Sequence, residues 1–188
     1  HNFTAFFYRT NNIITNNFAA SGGGIYCYAS SSNISNNLIT YNTAIPGDGC
    51  GISCSVYNPT ITDNIISNNS GNGIFCSSSD AIISKNTILN NSLEGIYCWI
   101  SDPLISHNTI SNNSGSGIYC NSSSPTISNN SITNNTASSG GGIYCYGSNS
   151  TITNNTIAYN SAVNGGALYF NGDSDPIFRN TIIYGNRA

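Results

Sequence analysis

The sequence repeats itself along almost its whole length, and this repeat limits the possible folds more than any other feature. Each copy is anchored by a short phrase, Gly-Ile-Tyr-Cys, with small variations. The basic unit is 22 residues long, and three copies carry extra residues between their last Asn and the next anchor. Repeats of this length are typical of solenoids, in which each copy forms one layer of a stack. The seventh copy has Phe170 in place of the anchor Cys, which the other six retain as Cys27, Cys54, Cys76, Cys98, Cys120 and Cys145.

Each copy contains three short segments in which polar and apolar residues alternate, with an apolar residue at the centre of each segment. Ser or Thr commonly flanks this residue, as in Thr-Ile-Ser. Alternation with a period of two predicts strands that point Ile inward and Ser or Thr outward. The three predicted core columns are Ile25, Ile52, Ile74, Ile96, Ile118, Ile143 and Leu168; Ile34, Ile61, Ile83, Ile105, Ile127, Ile152 and Ile177; and Ile39, Ile66, Ile88, Ile110, Ile132, Ile157 and Ile182.

Three strands per unit, stacked in register, predict an all-β fold, a parallel β-helix of about seven coils with 22 to 27 residues each. Because crossovers between parallel strands are almost always right-handed, we expect a right-handed helix. Residues 1–23 include Phe3, Phe6 and Phe7 and are predicted to form an irregular first coil or an N-terminal cap. The predicted β-helix domain spans residues 24–188, with coils that begin near residues 24, 51, 73, 95, 117, 142 and 167.

Two further columns consist of Asn, and each lies three residues after an Ile column. The chain has to turn a corner at this offset, and Asn tolerates the left-handed backbone conformation that corners require. Stacked Asn side chains also form hydrogen bonds from one coil to the next. We therefore predict two structural Asn ladders: Asn12, Asn37, Asn64, Asn86, Asn108, Asn130, Asn155 and Asn180 in the first, and Asn17, Asn42, Asn69, Asn91, Asn113, Asn135, Asn160 and then Gly185 in the second.

Three motifs carry a resemblance to a known family: G-G-G-I-Y-C, S-S-P-T-I-S-N-N-S-I-T-N-N, and N-G-G-A-L-Y-F followed by P-I-F-R-N-T. Over roughly residues 10–188 the chain resembles the right-handed parallel β-helix repeat family, within the pectate-lyase-like superfamily. Its final copy is similar to the repeats of polymorphic outer-membrane and secreted adhesin-like proteins. The resemblance implies the fold, whereas the superfamily includes lyases, hydrolases, epimerases, adhesins and structural fibres.

The composition narrows the possible partners. Only 6% of the residues are charged, and the net charge is −3 with four Lys and Arg residues. This leaves no basic surface for phosphates, so we expect no nucleic-acid partner. No apolar stretch reaches the roughly 18 residues of a transmembrane helix. The abundance of Asn, Ser, Thr and Gly favours an extracellular or cell-surface location.

The same low charge offers little resistance to association between copies of the chain. The sequence ends in I-I-Y-G-N-R-A, directly after a predicted strand, and an uncapped solenoid end invites pairing. We therefore expect self-association, either end to end or lateral.

The resemblance includes polysaccharide lyases and hydrolases, which use acidic residues on adjacent coils. Among the seven acidic residues of this chain, Asp80 and Asp102 share one column, four residues after the anchor Cys. Such a pair could bind Ca²⁺, or the two residues could be solvated turn residues. Because no Lys or Arg shares their column, we predict no catalytic residues, no enzyme activity and no cofactor apart from this candidate Ca²⁺ site.

The residue before the anchor Cys is usually aromatic and is predicted to point outward, because the Ile before it and the Cys after it point inward. An aromatic column suits sugar stacking, contact with a protein, or simple stacking between coils. Carbohydrate is therefore a possible partner. The predicted binding or self-association surface, extended by two aromatic residues further along the strand, consists of Tyr26, Phe75, Tyr97, Trp99, Tyr119, Tyr144, Tyr146 and Tyr169.

The six anchor Cys residues are predicted to form one inward column. At a coil spacing of roughly 4.8 Å they could pair as disulfides or remain a stack of buried thiols. Cys50 lies apart from them, in the longest insertion.

These patterns favour an extracellular structural or adhesive β-solenoid, such as a stalk, sheath or filament component that self-associates. The first alternative is a β-helix that binds or degrades polysaccharide. The second is an ice-binding protein, because rows of Thr and Ser line the predicted strands, although Ile82, Leu89 and Leu104 interrupt these rows.

Overall fold

The chain folds as a stack of coils, each built from three short strands. The computed structural model describes residues 8–45 and 49–188, and these residues contain 27 strands and no helix. The strands are numbered in chain order. All pairs between them are parallel, and each strand pairs with its counterpart one coil away, so the predicted parallel β-helix is confirmed.

The first sheet, called the anchor sheet, contains the Gly-Ile-Tyr-Cys phrases. Its seven strands are in register, so that Ile96 pairs with Ile118 and Cys98 pairs with Cys120. The strands are β4 (Ile25–Tyr28), β8 (Ile52–Ser55), β11 (Ile74–Ser77), β14 (Ile96–Trp99), β17 (Ile118–Asn121), β21 (Ile143–Tyr146) and β25 (Leu168–Asn171).

The second sheet follows the anchor sheet around each coil and has eight strands. Ile83 pairs with Ile105 at its centre, as the predicted second column requires. The strands are β1 (Tyr8–Thr10), β5 (Asn33–Ser35), β9 (Thr60–Thr62), β12 (Ile82–Ser84), β15 (Leu104–Ser106), β18 (Thr126–Ser128), β22 (Thr151–Thr153) and β26 (Ile177–Arg179).

The third sheet also has eight strands and completes each coil. Ile88 pairs with Ile110 in the predicted third column. The strands are β2 (Ile13–Thr15), β6 (Leu38–Thr40), β10 (Ile65–Ser67), β13 (Thr87–Leu89), β16 (Thr109–Ser111), β19 (Ser131–Thr133), β23 (Thr156–Ala158) and β27 (Ile182–Tyr184).

The longer coils contain a fourth short strand that the sequence did not predict. Strand β3 (Phe18–Ala19) pairs with β7 (Thr43–Ala44), and β20 (Thr136–Ser139) pairs with β24 (Ser161–Asn164). Two consecutive insertions therefore pair with each other where both are long enough to form strands.

The three Ile columns form the core. From Ile34 and Ile39 to Ile152 and Ile157 their side chains are fully buried, and the anchor Cys column lies beside them. Each buried Ile contributes about 1.5–3 kcal/mol of hydrophobic stabilisation. Because neighbouring coils supply much of that burial, the coils stabilise each other.

The last coil departs from the predicted register by one residue. Ile177 and Ile182 were predicted in the core, but Phe178 pairs with Ile152 and Ile183 pairs with Ile157. The extra residue lies at the preceding corner, where Asp173 follows Gly172 and both have positive φ. A single additional corner residue changes which side chains of the next two strands point inward.

The N-terminal segment is regular where it is described. Of residues 1–23, predicted as an irregular first coil or a cap, residues 8–19 form β1, β2 and β3, which pair in register with the next coil. The residues Phe3, Phe6 and Phe7 that suggested a cap lie outside the described part of the chain.

Both Asn ladders are present, and their hydrogen bonds follow one pattern. The Oδ1 atom of Asn86 accepts from the backbone N–H and the Nδ2 of Asn64, both at 3.0 Å. The Nδ2 of Asn86 donates to Oδ1 of Asn108 at 3.1 Å and to the backbone oxygen of Ile61 at 2.9 Å. Each buried amide is thereby satisfied by its neighbours, which is the condition for burying a polar side chain.

The ladders differ from prediction at the last coil. Thr181, not Asn180, occupies the first ladder, where its Oγ1 accepts from the N–H of Asn155 at 3.4 Å. Asn186, not Gly185, occupies the second, where its Oδ1 accepts from the N–H and Nδ2 of Asn160. Both corrections follow from the extra residue at Asp173.

The ladder Asn residues were also predicted to adopt the left-handed backbone conformation at the corners, and this prediction is wrong. Positive φ falls on the residue just before each one, and its side chain points away from the core because the ladder Asn takes the inward position. Up to Asn160 these corner residues are Asn11, Asn16, Asn36, Tyr41, Asp63, Asn68, Lys85, Asn90, His107, Asn112, Asn129, Asn134, Asn154 and Tyr159. In the last coil Asn180 and Gly185 take the same positions before Thr181 and Asn186. The Asn-Asn pairs of the sequence thus combine a corner residue with a ladder residue.

Candidate binding surfaces

The aromatic column forms a continuous stack on the outside of the anchor sheet. Ring centroids lie 5.2 Å apart between Phe75 and Tyr97, 4.8 Å between Tyr97 and Tyr119, and 4.6 Å between Tyr119 and Tyr144. Tyr169 continues the column at 5.2 Å from Tyr144. The sheet thus brings together five of the eight residues predicted as a surface.

The stacking decides which part of each ring is exposed. Tyr119 lies within 5° of the plane of Tyr97 and within 7° of that of Tyr144, so neighbouring rings cover its two faces. Burial raises the pKa of the Tyr119 hydroxyl to about 12, and the nearby hydroxyls of Tyr97 and Tyr144 add to this effect. A sugar ring stacks on an aromatic face, and the centre of the column offers edges and hydroxyl groups instead.

Three of the predicted aromatic residues lie apart from this stack. Ser53 separates Tyr26 from Phe75, and the ring of Tyr26 lies 6.2 Å from that of Tyr28. Trp99 and Tyr146 are exposed and flank Asn121 in register on three consecutive coils. The Nδ2 atom of Asn121 donates to the hydroxyl of Tyr97 at 3.4 Å, which links the two outward columns.

Asp80 and Asp102 are neighbours, as predicted, and they belong to a third ladder. The Oδ1 of Asp80 accepts from the backbone N–H of Asp102 at 2.7 Å, and the Oδ1 of Asp102 accepts from the N–H of Ser124. Asn58 and Asn149 make the equivalent bonds to Asp80 and Asp175 at 2.8 Å. One oxygen of each carboxylate therefore caps the next coil. The candidate Ca²⁺ site at these two residues stays a prediction.

A fourth ladder is made of buried Ser residues and was not predicted from the sequence. The backbone N–H of Ser79 donates to Oγ of Ser101 at 2.9 Å, and that of Ser101 donates to Oγ of Ser123 at 3.0 Å. Ser148 and Ser174 continue the series. In the sequence, a Ser recurs three residues after the anchor Cys. This recurrence is difficult to recognise because Ser is abundant throughout the chain.

The anchor Cys column consists of buried thiols in the structure. Hydrogen bonding with Cys27 and Cys76, together with burial, raises the pKa of the Cys54 thiol well above its ordinary value. Hydrogen bonding with Cys120 and burial likewise raise the pKa of Cys145. The thiolate is the reactive form of Cys, and the raised pKa of Cys54 and Cys145 favours their thiol forms. The column packs as part of the core. Cys50 is also buried, and its sulfur accepts from the N–H of Ala44 at 3.1 Å.

The described residues contain no cluster of three or more His, Cys, Asp or Glu side chains that could hold a metal ion. Across residues 8–45 and 49–188 there is also no helix with the length and hydropathy needed to cross a membrane.

The coils, the Ile core and the four polar ladders define a parallel β-helix whose buried polar groups serve the stack. The family described as right-handed β-helix region matches residues 95–188. The family described as periplasmic copper-binding protein (NosD) matches residues 1–131. Each match covers half of the chain or more, so the chain belongs to these families of β-helix proteins. No curated protein and no solved structure matches it.

Proposed function

We propose that this protein is a structural or adhesive β-helix that works outside the cytoplasm, as a rigid rod without catalytic activity. The observation that carries the proposal is the uninterrupted register of the three sheets, supported by ladders at every corner. Nearly all buried polar groups serve the stack itself. The description of the NosD family as periplasmic supports a place in the cell envelope or beyond it.

Self-association is part of the proposal, and Ala167 indicates whether the contact is end to end or lateral. In the first six coils the residue before the anchor Ile is Gly, and a Cβ there would meet the next coil. At Gly117, for example, it would lie 2.8 Å from the backbone oxygen of Gly142. The last coil has Ala167 at this position. Its Cβ disfavours a further coil in the same register, whether that coil belongs to this chain or to a second copy, and we propose lateral contact between copies.

The surface for lateral contact is the outer face of the anchor sheet. Tyr26, Tyr28 and Tyr146 are exposed there, together with the edges of the aromatic stack. Tyr is enriched at protein interfaces because its ring is apolar and its hydroxyl still forms hydrogen bonds. The low charge of the chain adds little repulsion between two such faces.

Sedimentation velocity over a range of concentrations tests this proposal. We expect the protein to form oligomers as its concentration rises, and the double variant Tyr28→Ser, Tyr146→Ser to stay monomeric with an unchanged β-sheet spectrum. Val163→Ser removes a still more exposed apolar side chain, on β24 and away from the anchor sheet, and this control variant should associate normally. A monomer at every concentration would refute self-association, and electron micrographs would show whether the particles are short rods.

The alternatives from the sequence make different predictions with the same samples. A polysaccharide lyase or hydrolase would turn over a soluble polygalacturonate, and a carbohydrate-binding protein would be retarded in gels that contain it. An ice-binding protein would show thermal hysteresis. The second sheet does carry an unbroken outward column of hydroxyl residues, namely Ser35, Thr62, Ser84, Ser106, Ser128 and Thr153. Its companion column includes Ile82 and Leu104, so a regular hydroxyl array is not formed.

A further inference from the structure

Exposed apolar side chains gather at one corner of the rod, where the anchor sheet leads into the second sheet. Trp99 and Ile100 lie on one side of this corner and are 45% and 56% exposed. Ile82 and Leu104 lie on the other side, paired in register, and are 45% and 42% exposed. With Asp80 and Asp102 between them, these residues are called the corner patch. Exposed apolar side chains that gather in one region mark interaction sites.

The chain presents the patch by simple alternation. In one coil Ile100, Asp102 and Leu104 point outward, whereas Ser101 and Pro103 are buried. One coil earlier Asp80 and Ile82 take the same positions, and Ala81 between them is fully buried. Two carboxylates are therefore bordered by aliphatic side chains across two stacked coils.

Folding does not require Ile at position 100. This corner position has positive φ in every described coil, and Ile100 has a φ of 51°. A β-branched residue is unfavourable in this conformation. The next two coils have Ser122 and Gly147 at the same corner. Ile100 thus makes the corner less stable and more apolar, as Val56 does two coils earlier, which fits a role in contact with a partner.

Folding does not require the charge of Asp80 and Asp102 either. Their place in the third ladder is taken by Asn58 in the coil before and by Ser124 and Asn149 in the coils after, and each of these accepts the same backbone hydrogen bond. Asn would therefore cap the next coil as Asp does. The two carboxylates add negative charge to a chain in which charged residues are scarce.

We propose that the corner patch binds a cationic and apolar segment of a partner protein. Lys or Arg of that segment would pair with Asp80 and Asp102, and a guanidinium group would also stack on Trp99. Its apolar side chains would cover Ile82, Ile100 and Leu104. A second copy of this chain is a poor occupant, because the whole sequence offers only Arg9, Lys85, Arg179 and Arg187 as cations.

Trp99 makes the test direct, because it is the only Trp in the chain and lies within the patch. The probe is a hexapeptide of alternating Arg and Leu, titrated against the full chain while Trp fluorescence is recorded. We expect a saturable change that corresponds to one peptide per chain. The hexapeptide of alternating Glu and Leu should produce none, and that of alternating Arg and Ser should bind more weakly.

Substitutions separate charge from apolar contact. Asp80→Asn with Asp102→Asn keeps the ladder and should weaken binding about tenfold, whereas Asp175→Asn, in the same ladder but outside the patch, should leave it unchanged. Ile100→Gly should weaken binding and yet raise the melting temperature by about 3 °C, because strain is relieved. Ser122→Gly, at the same corner one coil later, should leave binding unchanged. Opposite effects on stability and binding distinguish a contact residue from a structural one.

Three results would overturn the proposal. The first is equal binding of the Arg and Glu peptides, and the second is unchanged affinity in both the double Asp variant and Ile100→Gly. The third is displacement of the peptide by Ca²⁺ alone at matching concentration and constant ionic strength, which would make the pair of Asp residues a metal site. Trp99 shares an outward column with Tyr28 and Tyr146, so the titration is repeated in the monomeric variant Tyr28→Ser, Tyr146→Ser. This variant keeps the corner patch, so either proposal can fail without the other.

Discussion

The middle coils of the β-helix and its last coil have nearly the same repeat sequence, yet they differ in how deeply their core side chains are buried. Ile127 and Ile132, near the middle, are fully buried between coils on both sides. Phe178 and Ile183 take the equivalent columns in the last coil and remain partly exposed, because the described chain covers them from one side. The same residue type is therefore worth more in the middle, since its stabilising contacts come from neighbouring coils.

The largest expected difference concerns the core. Ile110→Ala should lower the free energy of unfolding by about 4 kcal/mol, because it leaves a cavity that two rigid neighbouring coils prevent from collapsing. Ile183→Ala should cost about 1 kcal/mol, because that side chain is 42% exposed. Chemical denaturation of both variants measures the difference. Equal losses would mean that the coils do not stabilise each other.

The ladders should show the same contrast with a somewhat smaller effect. Asn108 is buried, and its amide bonds to Asn86, Asn130 and the backbone oxygen of Ile83. Asn108→Ala leaves these groups without partners and should cost about 3 kcal/mol. Asn186→Ala, at the half-buried end of the second ladder, should cost about 1 kcal/mol. If thermal unfolding gave the reverse order, the ladder would not be a cooperative network.

The Gly before the anchor Ile provides a third contrast between the middle coils and the last coil. A Cβ at position 117 would lie 2.5 Å from Cγ2 of Ile132 and 2.9 Å from Nδ2 of Asn135. Gly117→Ala should therefore cost about 2 kcal/mol through overpacking. Ala167→Gly, at the same position of the last coil, should change stability by less than about 1 kcal/mol. Differential scanning calorimetry of the two variants is the test, and a neutral Gly117→Ala would show that neighbouring coils can move apart.

The smallest effect concerns the aromatic stack at high pH. The pKa of Tyr119 is about 12 in the folded chain, above its ordinary value of 10. The unfolded chain therefore loses this proton first, and stability falls as pH rises from about 10 to about 12. Tyr119→Phe should make this decline shallower and remove one group that titrates near pH 12 in an absorbance titration. If the Tyr119→Phe variant had an unchanged absorbance titration, the group that titrates near pH 12 would be a different residue.

Most of the fold was predictable because the alignment of the repeat copies predicts which residues pair between neighbouring coils. Every middle copy aligns Ile with Ile and Asn with Asn, so the three sheets and two ladders followed from spacing alone. The predicted core and ladder positions of the last copy were wrong by one residue, because Pro-Ile-Phe-Arg-Asn contains an Ile and an Asn at nearly the expected positions. The single extra corner residue, Asp173, becomes visible only when φ and the pairing partners are known.

The candidate sites were less predictable. The spacing placed Asp80 beside Asp102 and aligned Tyr97 with Tyr119, and both arrangements are present. Spacing did not indicate that the Asp oxygens cap the next coil, and it left open whether the Tyr rings stack on each other or contact a partner. These features depend on side-chain direction at corners and on ring orientation, which residue type alone does not define.

The periodic Ile and Asn residues are enough to specify a parallel β-helix, because only that arrangement places each of them beside its copy. The function of each polar column, in contrast, depends on the folded stack. A ladder Asn and the corner residue before it are both Asn in many copies, such as Asn112 and Asn113, yet one has positive φ and the other is buried. That distinction arises from hydrogen bonds between coils, which exist only once the coils are stacked.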